Sequence, residues 1–155
     1  MGAKRRFEIW RSGSKGPGDT ILIDDYAHSP NEIKASIRSV RKLYPGRAIT
    51  VVFQPHLYSR TRDFAPDFAA ALSEADTLIM PEIYPARELP IPGISSHTIL
   101  DAVKGPQKTY CERKDLLNLI KNSNFDILLT LGAADIDRLL PEIDRILESK
   151  VRPCE

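Results

Sequence analysis

Cysteine is scarce in this sequence of 155 residues: there are two, Cys111 and Cys154, and they lie far apart. Their separation does not match metal-ligand spacing, and their number falls short of the disulfide density of a small secreted domain. Both read as free thiols of a cytoplasmic protein. A dominant charge is lacking too, since 22 Lys and Arg nearly balance 21 Asp and Glu. No global field therefore draws the chain to nucleic acid or to an anionic membrane surface. No apolar run approaches the ~20 residues needed to cross a bilayer, and Met1-Gly2-Ala3-Lys4-Arg5-Arg6 has no apolar stretch resembling a signal peptide. Two nucleotide fingerprints are also missing, the G-x-x-x-x-G-K-[ST] phosphate loop and the G-x-G-x-x-G turn. Alone, the chain has no conventional cradle for a triphosphate.

With 42% hydrophobic and 28% charged residues, the composition is that of a folded globular protein, and the length suits one domain with a full core. Short aliphatic and β-branched runs alternate with amphipathic stretches, which predicts βαβ units. Four runs, Thr20 to Ile23, Ala48 to Phe53, Thr77 to Met80 and Asp126 to Thr130, are nearly continuously apolar, as strands buried on both faces must be. A weaker fifth covers Lys108 to Cys111. Arg6 to Trp10 alternates ahead of a Gly-rich turn, Ser12 to Gly18, and could pair antiparallel beside Thr20 to Ile23 as an N-terminal edge hairpin. The fold class is α/β: a Rossmann-like, doubly wound, mostly parallel sheet with helices on both faces.

Ser29-Pro30-Asn31-Glu32 is a capping box with Pro at the first helical position, and Ile33, Ile37 and Val40 continue it as an apolar stripe. Gly46 follows its end. A second helix is predicted from about Thr61 to Glu74, with Phe64, Phe68 and Leu72 facing the core and Pro66 close enough to the start to be tolerated. Ser95 or Ser96 caps a third to Val103; Lys114 to Lys121 reads as a fourth and Asp135 to Ser149 as a fifth, kinked or split by Pro141. The Pro-rich stretch Glu82 to Pro92 is the longest loop, and long loops in compact domains tend to be functional.

Each central strand runs into a polar cluster. Ile23 leads to Asp24-Asp25-Tyr26-Ala27-His28, and Phe53 to Gln54-Pro55-His56-Leu57-Tyr58-Ser59-Arg60-Thr61-Arg62. Met80 leads to Glu82 through Glu88, and Thr130 to Leu131-Gly132-Ala133-Ala134-Asp135. In an open parallel sheet these ends share one edge, where ligands bind. Carboxylates there suit ribose hydroxyls, while His and Arg suit phosphate or carboxylate oxygens. Such strand ends without a phosphate loop resemble one wall of a site whose other wall lies elsewhere. Simpler roles exist for each residue. Paired acids after a strand are often a solvated turn, His97 fits a helix start on the surface, and Leu131 to Ala134 fits a plain close turn. Arg60 and Arg62 would oppose the dipole of a helix that begins there, which favours an anion nearby.

The clusters also carry a resemblance. The sequence is similar to the Mur ligases, whose C-terminal domain bears a DDYxHHP run, then FQPHxYSRT, a YPAxExPIPG loop and an LGAGD turn; all four occur here in order. The likeness runs from Lys4-Arg5-Arg6 onward, leaving Met1-Gly2 as a cloning remnant and residues 3–155 as one C-terminal domain of a three-domain enzyme. Three positions depart from the pattern: Ser29, Leu57 and Ala134 stand where the family has His, commonly Arg, and Gly.

The resemblance implies an ATP-dependent, Mg2+-requiring ligase of peptidoglycan synthesis, and within the family the branch that joins L-alanine to UDP-N-acetylmuramate. The phosphate loop and metal ligands would belong to the central domain and the UDP-sugar site to the N-terminal one, so this domain alone would be inactive and hold no metal. Carried over, Asp25, with Asp24 beside it, would hold the ATP ribose and His28 would approach the terminal phosphate. Tyr26 and Arg60 would orient the acceptor side, with His56 and Arg62 as further substrate contacts. Third-residue ligases and peptide-recycling ligases resemble the same domain; the former carry a DNPR-type motif where this chain has Ile83-Tyr84-Pro85-Ala86-Arg87. A receiver-like phosphoacceptor module needs an Asp at a mid-sheet strand end, and Pro81-Glu82 follows Met80 instead. A plain interaction domain that keeps only the fold is the remaining alternative.

Overall fold

A computed structural model describes residues 7–133 and 135–151. Met1-Gly2, Lys4-Arg5-Arg6, Ala134 and Cys154, singled out above, lie outside the described residues. Six strands, β1 (Glu8–Ser12), β2 (Ile21–Asp25), β3 (Ile49–Phe53), β4 (Thr77–Met80), β5 (Gln107–Tyr110) and β6 (Ile127–Leu131), form one sheet in the order β1-β2-β6-β3-β4-β5. β1 and β2 pair antiparallel, with a bulge between Ile9 and Arg11; the other pairings are parallel. The edge hairpin and the mostly parallel sheet are therefore as the sequence predicts.

Every residue of β3 and β6 is buried, so their side chains feed two separate core layers. On one face Ile21, Ile23, Val51, Phe53 and Leu129 pack under α1 (Pro30–Leu43), α2 (Tyr58–Leu72) and α3 (Ser96–Leu100). On the other, Leu22, Val52 and Leu128 pack under α4 (Arg113–Lys121) and α5 (Leu140–Ser149). The helices after β2 and β3 thus lie on one side, and the helix after β6, the strand between them, lies on the other. That reversal opens a crevice at the C-terminal edge of the sheet.

α1 starts at the predicted box: the Glu32 N–H donates to the Ser29 hydroxyl at 3.3 Å and the Ser29 N–H donates to the Glu32 carboxylate at 3.2 Å. α2 departs from prediction. It begins at Tyr58, three residues early, and breaks at Phe64 (φ −124°, ψ 17°), which is 47% exposed rather than in the core. Pro66 has no N–H to give the Arg62 carbonyl, and its ring crowds that oxygen, so the turn ahead of it opens and swings Phe64 outward. Beyond the break Ala65, Phe68, Ala69 and Leu72 form the buried stripe. α3 stops at Leu100, short of Val103, where tight turns back to Ile99 and Leu100 take over. The last helix is split as Pro141 predicts, into a 3-10 segment (Asp135–Leu139) and α5.

Arg11 on β1 is buried. Its guanidinium meets Asp19 at 2.8 Å, and Asp144 and Glu148 of α5 each at 2.9 Å, tying the hairpin to the last helix. Cys111 is a free, half-buried thiol whose pKa burial pushes up. No described helix is long and apolar enough to cross a membrane.

Candidate functional site

The ends of β2, β6, β3 and β4 are tied to one another along the rim. The Gly132 N–H donates to the Asp25 carbonyl at 3.3 Å, joining β6 to β2, and Gly132 takes a φ of +130° that only glycine adopts freely. The Gln54 amide donates to the Glu82 carbonyl at 3.0 Å and the Tyr84 N–H donates to the Pro55 carbonyl at 2.8 Å, joining β3 to β4. On the α4 side, Glu82 accepts the Arg113 N–H at 2.8 Å, and Arg113 faces Asp135 at 3.4 Å.

The two acids of the first cluster are parted by the pleat. Asp25 stands at the rim and lines an open cleft of about 820 Å³ with Phe7, Tyr26, His28, Ser36 and Leu43. Its carboxylate accepts the Ala27 N–H at 3.2 Å. Asp24 points to the other face with no exposure and accepts the Thr130 hydroxyl at 2.6 Å. It braces β2 against β6, away from the cleft.

Tyr26 is 42% exposed and meets the His28 ring edge-on at 5.2 Å. His28 keeps Nδ1 3.1 Å from the Tyr26 carbonyl and 3.4 Å from Glu32, so a proton on Nδ1 leaves Nε2 to act toward a ligand. Glu32 also accepts the His28 N–H at 3.1 Å, which makes it an unpredicted partner of this turn.

His56 stacks on Tyr84 with ring centroids 5.8 Å apart. Burial lowers its pKa, and the nearby charges of Arg60 and His28 lower it further, against a smaller pull from Glu88. The ring is therefore neutral at neutral pH. His28, Arg60 and Glu88, from three separate segments, thus lie within electrostatic reach of His56. Arg60, half-buried in the first turn of α2, forms no ion pair with a described residue and is available to an anion. Arg62 is turned to Asp63, with Nε 2.8 Å from its carboxylate. Asp25, Tyr26 and His28 thus share one cleft. His56 and Arg60 follow β3 on the same rim, with His56 within electrostatic reach of His28. The Asp24 carboxylate and Arg62 are engaged elsewhere.

Glu88 belongs to the strand-end cluster after β4, and sequence reasoning assigned it no role. Its carboxylate accepts the Tyr58 and Ser59 N–H groups at 2.6 and 3.1 Å. The missing signal is visible in hindsight at Leu57, which cannot cap the helix it precedes. Among the described residues no group of three or more His, Cys, Asp or Glu could hold a metal ion.

Residues 5–134 match the family model described as Mur ligase, glutamate ligase domain. The chain belongs to that family. It is 49% identical over 151 residues to a UDP-N-acetylmuramate–L-alanine ligase of Parabacteroides distasonis, covering 97% of this chain and 32% of that protein. Among solved structures, a UDP-N-acetylmuramate-alanine ligase from Thermotoga maritima is similar at a TM-score of 0.65 and 28% identity, over 94% of this chain and 29% of that one. A murein peptide ligase from Psychrobacter arcticus shares the fold at a TM-score of 0.72 and 16% identity, over 97% of this chain and 31% of its own. The chain thus spans about a third of the length of the curated relatives it matches.

Proposed function

We propose that this chain is the C-terminal domain of a cytoplasmic, ATP-dependent ligase that joins L-alanine to UDP-N-acetylmuramate in peptidoglycan synthesis. The observation that carries the reading is the cleft shared by Asp25, Tyr26 and His28, with His56 and Arg60 after β3 on the same rim, in a chain 49% identical to a protein named for that reaction. ATP would phosphorylate the substrate carboxylate with release of ADP, and the amine of alanine would then attack the acyl phosphate through a tetrahedral intermediate that expels inorganic phosphate and loses the amine proton to leave the amide.

In that cleft Asp25 accepts from the ribose hydroxyls, and His28 offers a ring nitrogen to the terminal phosphate. Arg60, which pairs with no carboxylate among the described residues, meets charge that grows on phosphate and carboxylate oxygens, and Tyr26 orients the acceptor. Neutral His56 donates or accepts one hydrogen bond to the substrate, and Arg62 contributes a cation if it leaves Asp63. Asp24 acts behind them, fixing the strand end that carries Asp25. Mg2+ and the phosphate loop belong to the central domain and the UDP-sugar site to the N-terminal domain, so the isolated domain turns over no substrate.

The reading frame should supply roughly 300 further residues with a phosphate loop. In that longer enzyme Asp25→Ala and Arg60→Ala should each lower turnover about 100-fold or more, read as ADP release. Near-normal rates in both would leave a plain interaction domain as the better account.

A further inference from the structure

A helix start carries partial positive charge on its unpaired N–H groups and is ordinarily met by a capping side chain or an acidic first turn. α2 has neither. Leu57, at the cap position, offers no side-chain bond, the first turn holds no acid, and Arg60 and Arg62 add two cations. One group answers these needs. The Glu88 carboxylate, from the loop between β4 and α3, takes the Tyr58 and Ser59 N–H groups on Oε1, and the Ser59 hydroxyl donates to Oε2. The Ser59 hydroxyl foremost, then the two N–H groups, hold this carboxyl below the ordinary Glu range, with burial acting the other way.

The loop is tied to the segment ahead of α2 as well. The Leu57 N–H donates to the Tyr84 carbonyl at 2.9 Å, and the Leu57 carbonyl accepts the Thr61 hydroxyl at 3.0 Å. These bonds flank a residue at φ +76°, ψ 137°, a conformation strained for any side chain with a Cβ. His56 is meanwhile pinned on the Tyr84 ring.

We propose that Glu88 is a positioning residue of this site: it supplies from the β4–α3 loop the cap that α2 lacks, and thereby sets where Arg60 and His56 stand at the rim. The loop and the start of α2 then move as one body. Only the identity of what the cleft binds rests on the functional reading above.

The test is made on the 155-residue chain by NMR. In Glu88→Ala the Tyr58 and Ser59 amides should lose hydrogen-exchange protection by at least about fivefold, the weight of one helix cap. The His56 ring should titrate lower still. The Tyr84 ring stacks on it, the charges that act on it are those of Arg60 from α2, His28 from the β2–α1 turn and Glu88 from the loop, and the substitution deletes the one carboxylate among them. Glu88→Gln keeps an acceptor for both N–H groups and should restore most of the protection, and with it the wild-type backbone shifts of His56 and Arg60, without restoring the His56 titration; a cap that positions neither residue would leave those shifts unmoved in Glu88→Ala. Unchanged protection and an unchanged His56 titration in Glu88→Ala would overturn the proposal. Should that variant not fold, an unshifted His56 in Glu88→Gln would do the same. Normal turnover of Asp25→Ala and Arg60→Ala in the longer ligase would instead overturn the functional reading and leave this one standing.

Discussion

α1 and α2 leave the same edge of the sheet, two strands apart, and are started in opposite ways. α1 is closed by its own sequence. Ser29, Pro30 and Glu32 satisfy the first N–H groups between them, and Glu32 reaches back to His28. α2 borrows its closure from a residue 30 positions downstream. A helix capped locally forms wherever its segment goes, whereas one capped from a distant loop is set only once the loop is in place. The self-sufficient start carries Asp25 and His28 ahead of it, and the borrowed one carries Arg60.

The largest test of this contrast lies away from both starts. Phe68→Ala removes a ring that is 2% exposed from the half of α2 beyond Pro66, and should lose about 3–5 kcal/mol in denaturant unfolding. A loss below about 1 kcal/mol would mean that this half is not what anchors α2. Ser29→Ala should lose about 1 kcal/mol and leave Tyr58 and Ser59 amide protection untouched; a loss of protection there would show that the two starts are coupled. Phe64→Ala, at the break, should change stability by less than about 0.5 kcal/mol, as suits a largely solvated side chain.

The smallest effect is a pH dependence at the start of α1. Burial alone would raise the pKa of Glu32, but the His28 and Ser29 N–H groups hold it below its ordinary 4.5. The unfolded chain then binds more protons in that window. This contribution is therefore present above pH 4.5 and is lost as pH falls through the folded value. Glu32→Gln should flatten that part of the acid limb of a stability–pH curve, and an unaltered limb would remove Glu32 from the account.

What was legible in the residues divides along the same line. Strands buried on both faces declare themselves as unbroken apolar runs, and α1 spells out its own cap, so the sheet and the first cluster could be read directly. Phe64 misled because its four-residue spacing to Phe68 is blind to Pro66, which opens the helix between them. Asp24 and Asp25 read as a pair because β2 was expected to stop at Ile23. It continues to Asp25, and period-two alternation then sends the neighbours to opposite faces. Glu88 could be read as far as its place in the strand-end cluster after β4, but its bonds to the start of α2 could not, because the need they meet lies at Leu57 and no local pattern joins the two. The resemblance to the Mur ligases supplied the order of the clusters, while their mutual distances required coordinates.

The knot around Arg11 reaches beyond the hairpin that carries it. Its charge, almost out of water, is balanced by carboxylates from both ends of the described chain: Asp19 near the beginning, Asp144 and Glu148 near the close. A version trimmed ahead of α5 would keep the cation and lose two of its three counter-charges. The antiparallel edge and the final helix therefore make one indivisible clasp, and a domain boundary drawn for expression or grafting must enclose both.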